Sequence, residues 1–314
     1  AAIKGMYNYL GDPYTSYLDK DSTDNLMDRL KGEYKGIGVE ITTNESGTVV
    51  MTVFENSPAE EAGIMVGDII TKVKGVDVNG KTTSEVSNMI KSTNGNVEIE
   101  VNRGGITKTL TLKVSTVRIK SVIKNKYDKT GYLRIETFSN TTYKQFKENL
   151  ETLEKDGIEN LIVDVRNNGG GFLNSAVEIA ELFVEKGKPI YGLQTKDKKE
   201  MYKDTTKEKR DYKVMVLING GSASASEVLA AALKESYGAT LLGTKSYGKG
   251  TVQDTSELES GGMIKYTTAY WLTPKGVTIN EKGLTPDIEV TGSFKDGMTL
   301  ENDVELQTAI NNLK

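Results

Sequence analysis

The sequence predicts a fold of mixed α/β and β class: an α/β core, an inserted β-rich domain and a short helical arm at the N terminus. Strands and helices alternate after Ser115, which is typical of an α/β layer. Before Ser115, short β-branched runs are separated by glycine turns. The first residues carry apolar side chains at helical spacing. We therefore expect an arm over residues 1–32, an insert over 33–115 and a core over 116–314.

The composition excludes several classes of chemistry. The chain has 314 residues with no cysteine and no histidine, which removes thiol catalysis, the Ser-His-Asp triad and the usual zinc sites. Its net charge of −4 gives no basic field for nucleic acid, and no apolar run approaches the ~20 residues that span a bilayer. A hydrolytic nucleophile must therefore be Ser or Thr, with Lys, Asp, Glu or a terminal amine as its base. Acid–base chemistry by carboxylates alone stays open.

The N-terminal arm is expected to form short helices around a turn. Ala1–Leu10 has apolar residues at helical spacing, Gly11-Asp12-Pro13 interrupts the pattern, and Asp24–Leu30 can form another turn or two. The favoured interpretation is a packing arm that takes no part in chemistry.

The insert combines short strands, glycine turns and two short helices. Lys35-Gly-Ile-Gly-Val-Glu-Ile41 is a glycine-flanked strand. Ser57-Pro-Ala-Glu60 is a capping box with proline at the first helical position. Ser84–Ser92 is expected to be a helix, and a closing hairpin is expected around Arg103-Gly-Gly105.

In this order the insert resembles a PDZ domain. The matching segments are Tyr34-Lys-Gly-Ile-Gly-Val39, Ser57-Pro-Ala-Glu-Glu-Ala-Gly63 and Gly67-Asp68-Ile69-Ile70. The resemblance implies that the peptide-binding loop consists of Gly36, Ile37, Gly38 and Val39. Converging N–H groups of such a loop form a nest that binds an anion, here the C-terminal carboxylate of a peptide. The peptide would add as a strand beside residues 37–43.

The core is predicted to alternate strands and helices before it ends in a more β-like segment. The expected strands are Gly131–Phe138, Asn160–Val165, Ile190–Thr195, Val214–Ile218, Ala239–Gly243, Met263–Leu272, Val277–Ile279 and Asp287–Val290. The expected helices are Thr142–Lys155, Leu173–Val184, Glu227–Tyr237 and Asp303–Leu313. The charge-rich segment Lys196–Lys213 is expected to be a solvated loop.

Ser224 is the candidate nucleophile, in the segment Asn219-Gly-Gly-Ser-Ala-Ser-Ala-Ser-Glu227. One interpretation is structural, because Ser224-Ala-Ser-Glu227 fits the capping-box pattern and a hydroxyl cap stabilises a helix by ~1 kcal/mol. The other is catalytic, because the two preceding glycines allow a sharp strand-to-helix turn with an exposed hydroxyl. Free N–H groups at the helix start, that of Ala225 first, can stabilise an oxyanion.

Lys249 is the candidate base, four residues before Gln253. This spacing puts both side chains on one side of a strand or a helix, so Gln253 can orient the lysine. A lysine of ordinary pKa ~10.4 is protonated at pH 7, so Lys249 must be desolvated to act as a base. The segment Gly243–Lys249 also approaches a phosphate-binding pattern, but Gly250 stands where a hydroxyl should follow and a strand-like segment comes next. Nucleotide binding is therefore disfavoured.

Taken together, the motifs resemble those of the carboxy-terminal processing (tail-specific) serine peptidases over nearly the whole chain. The matching segments are Gly11–Leu18, Asp164-Val-Arg-Asn-Asn-Gly-Gly-Gly171, Gly221–Glu227, Tyr247-Gly-Lys-Gly-Thr-Val-Gln253, Trp271–Gly276 and Lys282–Asp287. The resemblance implies that Ser224 is the nucleophile, Lys249 its general base and Gln253 the residue that positions the lysine. It also implies an oxyanion hole made by the N–H groups of Ala225 and of Gly170 or Gly171.

The resemblance further implies an endopeptidase that cuts unfolded proteins or exposed C-terminal tails without a metal or organic cofactor. Its PDZ domain would recognise substrate C-termini and gate the active site. We expect an extracytoplasmic location, secreted or membrane-associated, with a targeting segment absent from a chain that begins at Ala1. Assembly into a homo-oligomer is compatible with the resemblance, whereas nucleic acid and nucleotides are not expected partners.

Two positions depart from the family pattern. Gly169 replaces the motif proline, so the turn that carries the oxyanion glycine is expected to be less rigid. Lys91 stands where an arginine is expected, and it keeps the charge but not the planar fork. Lys91 is therefore the candidate for a regulatory contact of the PDZ domain. The alternative function is a catalytically inactive PDZ adaptor on a protease fold.

Overall fold

The computed structural model describes residues 6–7, 9–259, 261–292, 294–295 and 297–314. Contacts divide the chain into two compact units: the larger contains the residues up to Gly32 together with Lys120–Lys314, and the smaller contains Glu33–Ile119. Residues 1–5 and 8 of the predicted helix Ala1–Leu10 lie outside the described part. Across the described residues, every helix is too short or too polar to cross a bilayer.

The elements are numbered in chain order. The α-helices are α1 Lys20–Lys31, α2 Pro58–Glu61, α3 Thr83–Lys91, α4 Thr142–Lys155, α5 Leu173–Glu181, α6 Ala225–Ala232 and α7 Val304–Leu313. The strands are β1 Ser16–Leu18, β2 Glu33–Gly36, β3 Val39–Asn44, β4 Gly47–Val53, β5 Ile69–Val73, β6 Val76–Asp77, β7 Asn96–Arg103, β8 Ile106–Lys113, β9 Ser115–Arg118, β10 Val122–Tyr127, β11 Thr130–Ile135, β12 Asn160–Asp164, β13 Pro189–Gln194, β14 Lys199–Lys203, β15 Lys213–Ile218, β16 Thr240–Gly243, β17 Thr251–Glu257, β18 Met263–Leu272 and β19 Ile288–Glu289. A π-helical turn, Leu233–Tyr237, continues α6, and a 3-10 turn, Leu300–Asn302, precedes α7.

The smaller unit is an antiparallel β domain with two short helices. Its main sheet has the order β3-β4-β5-β7-β8, and β6 pairs with β5. A capping box starts α3, because Thr82 and Glu85 each accept the other's backbone N–H, at 3.2 and 2.8 Å. Val86 of α3 and Val97 and Ile99 of β7 are fully buried in its core. Strand β9 pairs with β2, which brings both ends of this unit together.

The larger unit contains a mostly parallel sheet that is covered on both faces. Its order is β10-β11-β12-β15-β16-β19, and only β10 runs antiparallel to its neighbour. Leu161 and Val163 of β12 pack into the core that includes α4, α5 and α6. Ile162 packs on the opposite face with Leu306 of α7. This two-sided burial explains the continuous apolar runs of the parallel strands.

A second sheet of the larger unit is built around the long strand β18. Strands β1, β13 and β17 all pair with β18 antiparallel, and β14 pairs with β13. The N-terminal arm therefore contributes an edge strand, β1, in which Ser16 lies opposite Lys265. Helix α1 follows, with an Asp19 cap at its start and Gly32 in the left-handed conformation at its end.

The parallel strands β12, β15 and β16 end at the same edge of their sheet. The turns that follow them are residues 165–171, 219–224 and 244–250. In an open α/β sheet, loops at the carboxyl ends of neighbouring strands form the usual crevice for a ligand. The motifs that contain Gly170, Ser224 and Lys249 therefore meet at this edge.

Several predicted elements need correction. Lys196–Lys213 is not all loop: β14 forms within it because Lys199–Lys203 pairs with β13, and Tyr202 stacks on Tyr191 at 4.7 Å between ring centroids. Val277–Ile279 is not a strand, since only an isolated pairing joins Thr278 to Leu272. Strand β10 was not predicted, because its middle residues Lys124, Asn125 and Lys126 are polar and exposed and interrupt the apolar pattern of a strand.

Candidate active site

Ser224 occupies a strained turn between β15 and α6. Its backbone angles are φ 56° and ψ −118°, in a region that residues with a side chain rarely adopt. Such a turn presents a serine hydroxyl at the top of an α/β sheet in hydrolases that use a nucleophile elbow. A Cβ on Gly170 would come within 2.8 Å of the Ser224 Cβ, so the neighbouring turn needs glycine at that position.

The start of α6 is capped chiefly by backbone groups of Ser224 and by the Glu227 side chain. The Glu227 N–H donates to the Ser224 carbonyl at 2.9 Å, and the Ser224 N–H donates to Glu227 Oε2 at 2.9 Å. The Ser224 hydroxyl lies in the capping-box position, facing the Glu227 N–H that donates to the Ser224 carbonyl.

Glu227 connects the two halves of the site. This carboxylate is fully buried and accepts hydrogen bonds from the backbone N–H groups of Ser224, Gly248 and Lys249, at 2.9, 2.8 and 3.0 Å. The Ser246 hydroxyl donates to it at 2.5 Å. Burial raises the pKa of Glu227, and these hydrogen bonds oppose that rise. The sequence pattern indicated Glu227 only as a helix-capping residue, since three of its partners lie about twenty residues further along the chain.

Lys249 is half-buried in the turn before β17. Its N–H donates to Glu227, and its carbonyl accepts the Trp271 Nε1–H at 2.7 Å, so hydrogen bonds hold both its backbone groups. Its Nζ lies 4.8 Å from the centre of the Tyr14 ring. Burial first, and the charge of Lys265 second, hold the pKa of Lys249 below its ordinary value, while Glu227 acts in the opposite direction. The lysine therefore has the environment that a neutral amine requires.

One cavity of about 420 Å³ joins the three candidate catalytic side chains: it is lined by Ser224, Lys249 and Gln253. Its other polar walls include Asp254 and Lys265. The apolar side chains that line it are Leu26, Leu30, Phe172, Leu173, Val228, Val252 and Trp271. The cavity therefore combines the polar side chains of the candidate site with a largely apolar wall.

Gln253 is anchored on β17 but does not bond directly to Lys249. Its amide group donates to Thr251 Oγ1 at 2.9 Å and to Thr267 Oγ1 at 3.4 Å. Within the described part of the chain, no hydrogen bond joins Gln253 to Lys249. The reason is local: Lys249 precedes the strand to which Gln253 belongs, so the regular spacing used to pair them does not apply.

The two candidate oxyanion glycines differ. The Gly170 N–H already donates to Asn168 Oδ1 at 2.9 Å, whereas Gly171 lines the cavity. Among the described residues, the N–H groups of Gly171 and Ala225 make no hydrogen bond. Gly171 also needs to be glycine, because a Cβ there would lie 2.1 Å from the Phe138 carbonyl oxygen. Ala225 and Gly171 are therefore the better-placed pair.

Asn168 holds the turn in which Gly169 replaces proline. Its buried side chain accepts the Gly170 N–H and donates to the Ile135 carbonyl at 2.8 Å. Its own carbonyl accepts the Ala223 N–H at 3.0 Å and the Ser226 hydroxyl at 2.8 Å. The turn is thus tied both to β11 and to the serine turn, which compensates for the missing proline ring.

A buried ion cluster lies at the start of the same turn. Arg166 is fully buried and contacts Asp164, Asp303 and Glu305 at 2.6, 2.7 and 2.6 Å. Burial disfavours its charge, but the hydrogen bonds that it donates to Asp303 and the charge of Asp164 outweigh burial and raise the pKa of Arg166. The ring of Phe294 packs 3.9 Å from the guanidinium carbon. Through this cluster, α7 fixes the turn that leads to Gly171.

The predicted peptide-binding loop lies in the smaller unit. Gly38 has φ +89°, and a Cβ there would come within 2.2 Å of the Ser57 Cβ. The carbonyls of Ile37 and Gly38 accept N–H groups of Ala59 and Phe54, at 2.8 and 2.9 Å. Among the described residues, the N–H groups of Ile37 and Gly38 make no hydrogen bond.

The other residues predicted for the smaller unit flank this loop. Gly36 ends β2, where it lies opposite Ser115, and Val39 begins β3. Lys91 ends α3, and its Nζ lies 5.8 Å from the centre of the Tyr34 ring. Ile37 and Gly38 thus connect the end of β2 at Gly36 to the start of β3 at Val39.

Comparison with known families and proteins gives consistent matches. The profile of peptidase family S41 matches residues 129–290, and that of the PDZ domain matches residues 36–114. A probable CtpA-like serine protease of Staphylococcus haemolyticus (strain JCSC1435) is 37% identical over 294 residues, which cover 92% of this chain and 59% of that protein. The homologue from Staphylococcus aureus (strain N315) is 39% identical with the same coverage. The chain spans about 59% of the length of these curated relatives.

Solved structures give the same result. A photosystem II D1 C-terminal processing protease is 30% identical with a TM-score of 0.57, and the match covers 92% of this chain and 81% of that one. A putative S41 protease from Bacteroides fragilis NCTC 9343 has a TM-score of 0.59 at 16% identity, covering 97% and 87% of the two chains. The second likeness concerns the fold alone.

Proposed function

Because the chain belongs to peptidase family S41 and contains a PDZ domain, we propose that it is a serine endopeptidase with Ser224 as nucleophile and Lys249 as base. The observation that carries this proposal is that Ser224, half-buried in a strained turn, and a half-buried Lys249 line one cavity. The backbone of each is bonded to the same carboxylate, Glu227, so their relative position is held on both sides.

The proposed reaction has two stages. Ser224 Oγ attacks the scissile carbonyl while neutral Lys249 accepts its proton, and the N–H groups of Ala225 and Gly171 stabilise the oxyanion. The lysine then gives the proton to the leaving amine. In the second stage Lys249 activates a water that hydrolyses the acyl-enzyme and restores Ser224. Neither stage uses a metal or an organic cofactor.

The remaining site residues have supporting roles in this proposal. Gln253 has its NH₂ group held by two threonines, which leaves its carbonyl oxygen as an acceptor for the protonated amine of Lys249. The turn with Gly170 presents Gly171 to the substrate, and Asn168 keeps that turn in place.

The proposed substrates are unfolded proteins or exposed C-terminal tails. The apolar walls at Leu26, Leu30 and Phe172 suit an apolar side chain next to the scissile bond. The loop from Gly36 to Val39 offers N–H groups for the C-terminal carboxylate of the substrate. Similarity to a protease named for C-terminal processing supports this substrate class.

We extend the proposal to gating of the active site by the PDZ domain, with Lys91 as a candidate contact. We also propose that the protein acts outside the cytoplasm, near a membrane. Assembly into a homo-oligomer remains compatible with it.

The pH dependence follows from the base. Activity should rise with pH because Lys249 must lose its proton before it can accept one from Ser224. Because burial lowers the pKa of Lys249, the rising limb of the pH profile should have its midpoint below ~10.4, the pKa of an exposed lysine. The acylation rate between pH 6 and 10 measures this limb. A flat profile, with chemistry shown to limit the rate, would contradict the proposal.

The direct test is digestion of casein by wild type and by Ser224→Ala and Lys249→Ala. Exposed residues of the same types provide matched controls in Ser256→Ala and Lys245→Ala. We expect wild type and both controls to cut casein, and Ser224→Ala and Lys249→Ala to leave it intact. Mass spectrometry then gives the cut sites. Equal cutting by Ser224→Ala would refute it.

The alternative is a catalytically inactive PDZ adaptor, which the replacement of the motif proline by Gly169 favours. It predicts that neither wild type nor Ser224→Ala cuts casein, even with C-terminal peptides added to relieve inhibition. Peptide binding that depends on Gly38 is expected under both functions, so it does not separate them.

A further inference from the structure

Tyr14 is held in place by the N-terminal arm beside the site. Its N–H donates to Asp12 Oδ1 at 3.0 Å, and the hydroxyl of Thr15 donates to Asp12 Oδ2 at 2.5 Å. The Thr15 hydroxyl also accepts the Thr267 N–H at 3.3 Å, and β1 then pairs with β18. The arm is thus bonded to the strand that also pairs with β17, and Tyr14 has a defined position.

The Tyr14 ring covers the end of the Lys249 side chain. Nζ lies 4.8 Å from the ring centre, within the ~6 Å range in which an aromatic face attracts an ammonium group. This attraction favours the charged amine and opposes the effect of burial, but burial is the larger effect and the pKa of Lys249 is lowered. The half-buried ring also keeps water from one side of the amine. A long lysine side chain has many rotamers, and a ring at its tip restricts them.

The charged and titratable groups around Lys249 come from four segments. Lys265 of β18 repels its charge, whereas Glu227 of α6 attracts it. Tyr247 lies on the turn before β17, and Asp12 and Tyr14 lie on the arm. Burial, followed by the neighbouring Tyr247 hydroxyl, raises the pKa of Tyr14, so its phenol stays neutral and adds no charge that would hold Lys249 protonated.

We propose that Tyr14 is a positioning residue for Lys249: its ring holds Nζ towards the cavity and shields it from water. The proposal rests on the assignment of Lys249 as the base. It also gives the N-terminal arm a part in the reaction, in contrast to the packing role expected from the sequence. Tyr14 itself exchanges no proton with the substrate.

Tyr14→Ala separates shielding from mere support of the fold. Without the ring, water reaches Nζ, the pKa of Lys249 returns towards its ordinary value, and the rising limb of the pH profile moves to higher pH. A shift of one pH unit lowers the rate at pH 7 about tenfold, because the neutral fraction of the amine falls by that factor. At the top of the limb, where the amine is neutral in both proteins, the variant should stay slower than wild type because Nζ is no longer held towards the cavity. Tyr14→Phe keeps the ring and should restore the position of the limb.

The kinetic measurement is single-turnover cleavage of fluorescein-labelled casein, with enzyme in excess, at intervals from pH 6 to 10. A matched control is Tyr9→Ala, which removes a tyrosine of the same arm that is 90% exposed. A second measurement does not need activity: Lys249 is acetylated in a Ser224→Ala background, and mass spectrometry gives the pH midpoint of labelling. Tyr14→Ala should raise this midpoint, and Tyr14→Phe should not.

The outcomes separate this inference from the proposed function. If Lys249→Ala is inactive but the Tyr14→Ala limb and labelling midpoint coincide with those of wild type, the positioning role of Tyr14 is refuted. The same holds if Tyr14→Phe is as impaired as Tyr14→Ala, because the hydroxyl would then be the essential group. If Lys249→Ala cuts as fast as wild type, the proposed base is wrong, and this inference falls with it. If a variant is too unstable for kinetic measurements, its labelling midpoint is measured below its unfolding temperature and decides between these outcomes.

Discussion

Each unit contains a glycine turn with N–H groups that make no hydrogen bond to the described part of the chain, but the two turns are held in different ways. The turn that contains Gly171 is held by the buried side chains of Arg166 and Asn168. The buried carboxylate of Glu227 holds the neighbouring serine turn. Around Gly38, the loop is held mainly by backbone hydrogen bonds and by close packing on Ser57. A reacting oxyanion needs fixed donors, whereas a peptide carboxylate tolerates a loop that adjusts. Changes near Gly171 should therefore have larger effects than changes near Gly38.

The largest effect is expected from Arg166→Met. This change leaves the carboxylates of Asp164, Asp303 and Glu305 buried without their cation, which should lower the free energy of unfolding by about 3–5 kcal/mol. Urea unfolding measures the loss. Arg166→Lys keeps a charge without the planar fork and should recover only part of it. A loss under ~1 kcal/mol for Arg166→Met would show that the cluster does not hold the turn.

Glu227→Gln should have the next largest effect. An amide has one acceptor oxygen in place of two, so some of the N–H groups of Ser224, Gly248 and Lys249 would lose their partner. Each unsatisfied buried donor costs about 1–3 kcal/mol. Because both proposed catalytic residues, Ser224 and Lys249, would shift, we expect casein cleavage to fall by roughly 100-fold, the scale of a misplaced reacting group. Glu148→Gln, on an exposed part of α4, is the matched control. Cleavage within threefold of wild type would remove Glu227 from the account.

Gly38→Ala tests the turn of the smaller unit. Its Cβ would meet Ser57, so the loop must move and binding of a C-terminal peptide should weaken by about tenfold or more, which corresponds to ~1.4 kcal/mol. Gly80→Ala carries a similar positive φ, +75°, but has open space around its Cβ, and it should bind as wild type. Fluorescence anisotropy with a labelled peptide gives both affinities. Equal affinities would mean that this loop is not where the carboxylate binds.

The smallest effect is expected from Gly169→Pro, which restores the motif proline. A Cβ at Gly169 has no atom within 4 Å, so the change should fit and stabilise the protein by about 0.4–1 kcal/mol through the unfolded state. Because Asn168 already fixes the turn, cleavage should change by less than threefold. A large gain in cleavage would instead show that Gly169 leaves the turn too mobile for full activity.

The sequence was sufficient for the fold class and the family. The α/β core and the inserted PDZ domain are both confirmed, because periodicity and glycine turns report local structure and the motifs are specific. The assignments of Ser224, Lys249 and Gln253 remain proposals supported by geometry. Their grouping at one sheet edge depends on strand order, which local patterns do not contain.

Other features could not be predicted because they join distant segments. Separate loops must pack together before the Gly248 and Lys249 N–H groups can donate hydrogen bonds to Glu227. The same is true of the contact between Tyr14 and Lys249. The preference for Gly171 over Gly170 depends on one hydrogen bond, which the Gly170 N–H donates to Asn168 Oδ1. Strand β14 is an edge strand whose pairing with β13 overrides its charged composition.

The most direct test of the central claim is labelling by a fluorophosphonate, a probe that reacts with activated serines. The account predicts that mass spectrometry finds the label on Ser224 in wild type and that labelling accelerates with pH. It also predicts that Lys249→Ala slows labelling by about 10²–10⁴-fold, as expected for loss of a general base. Equal labelling of Ser224 in wild type and Lys249→Ala, or labelling only at another serine, would contradict the account.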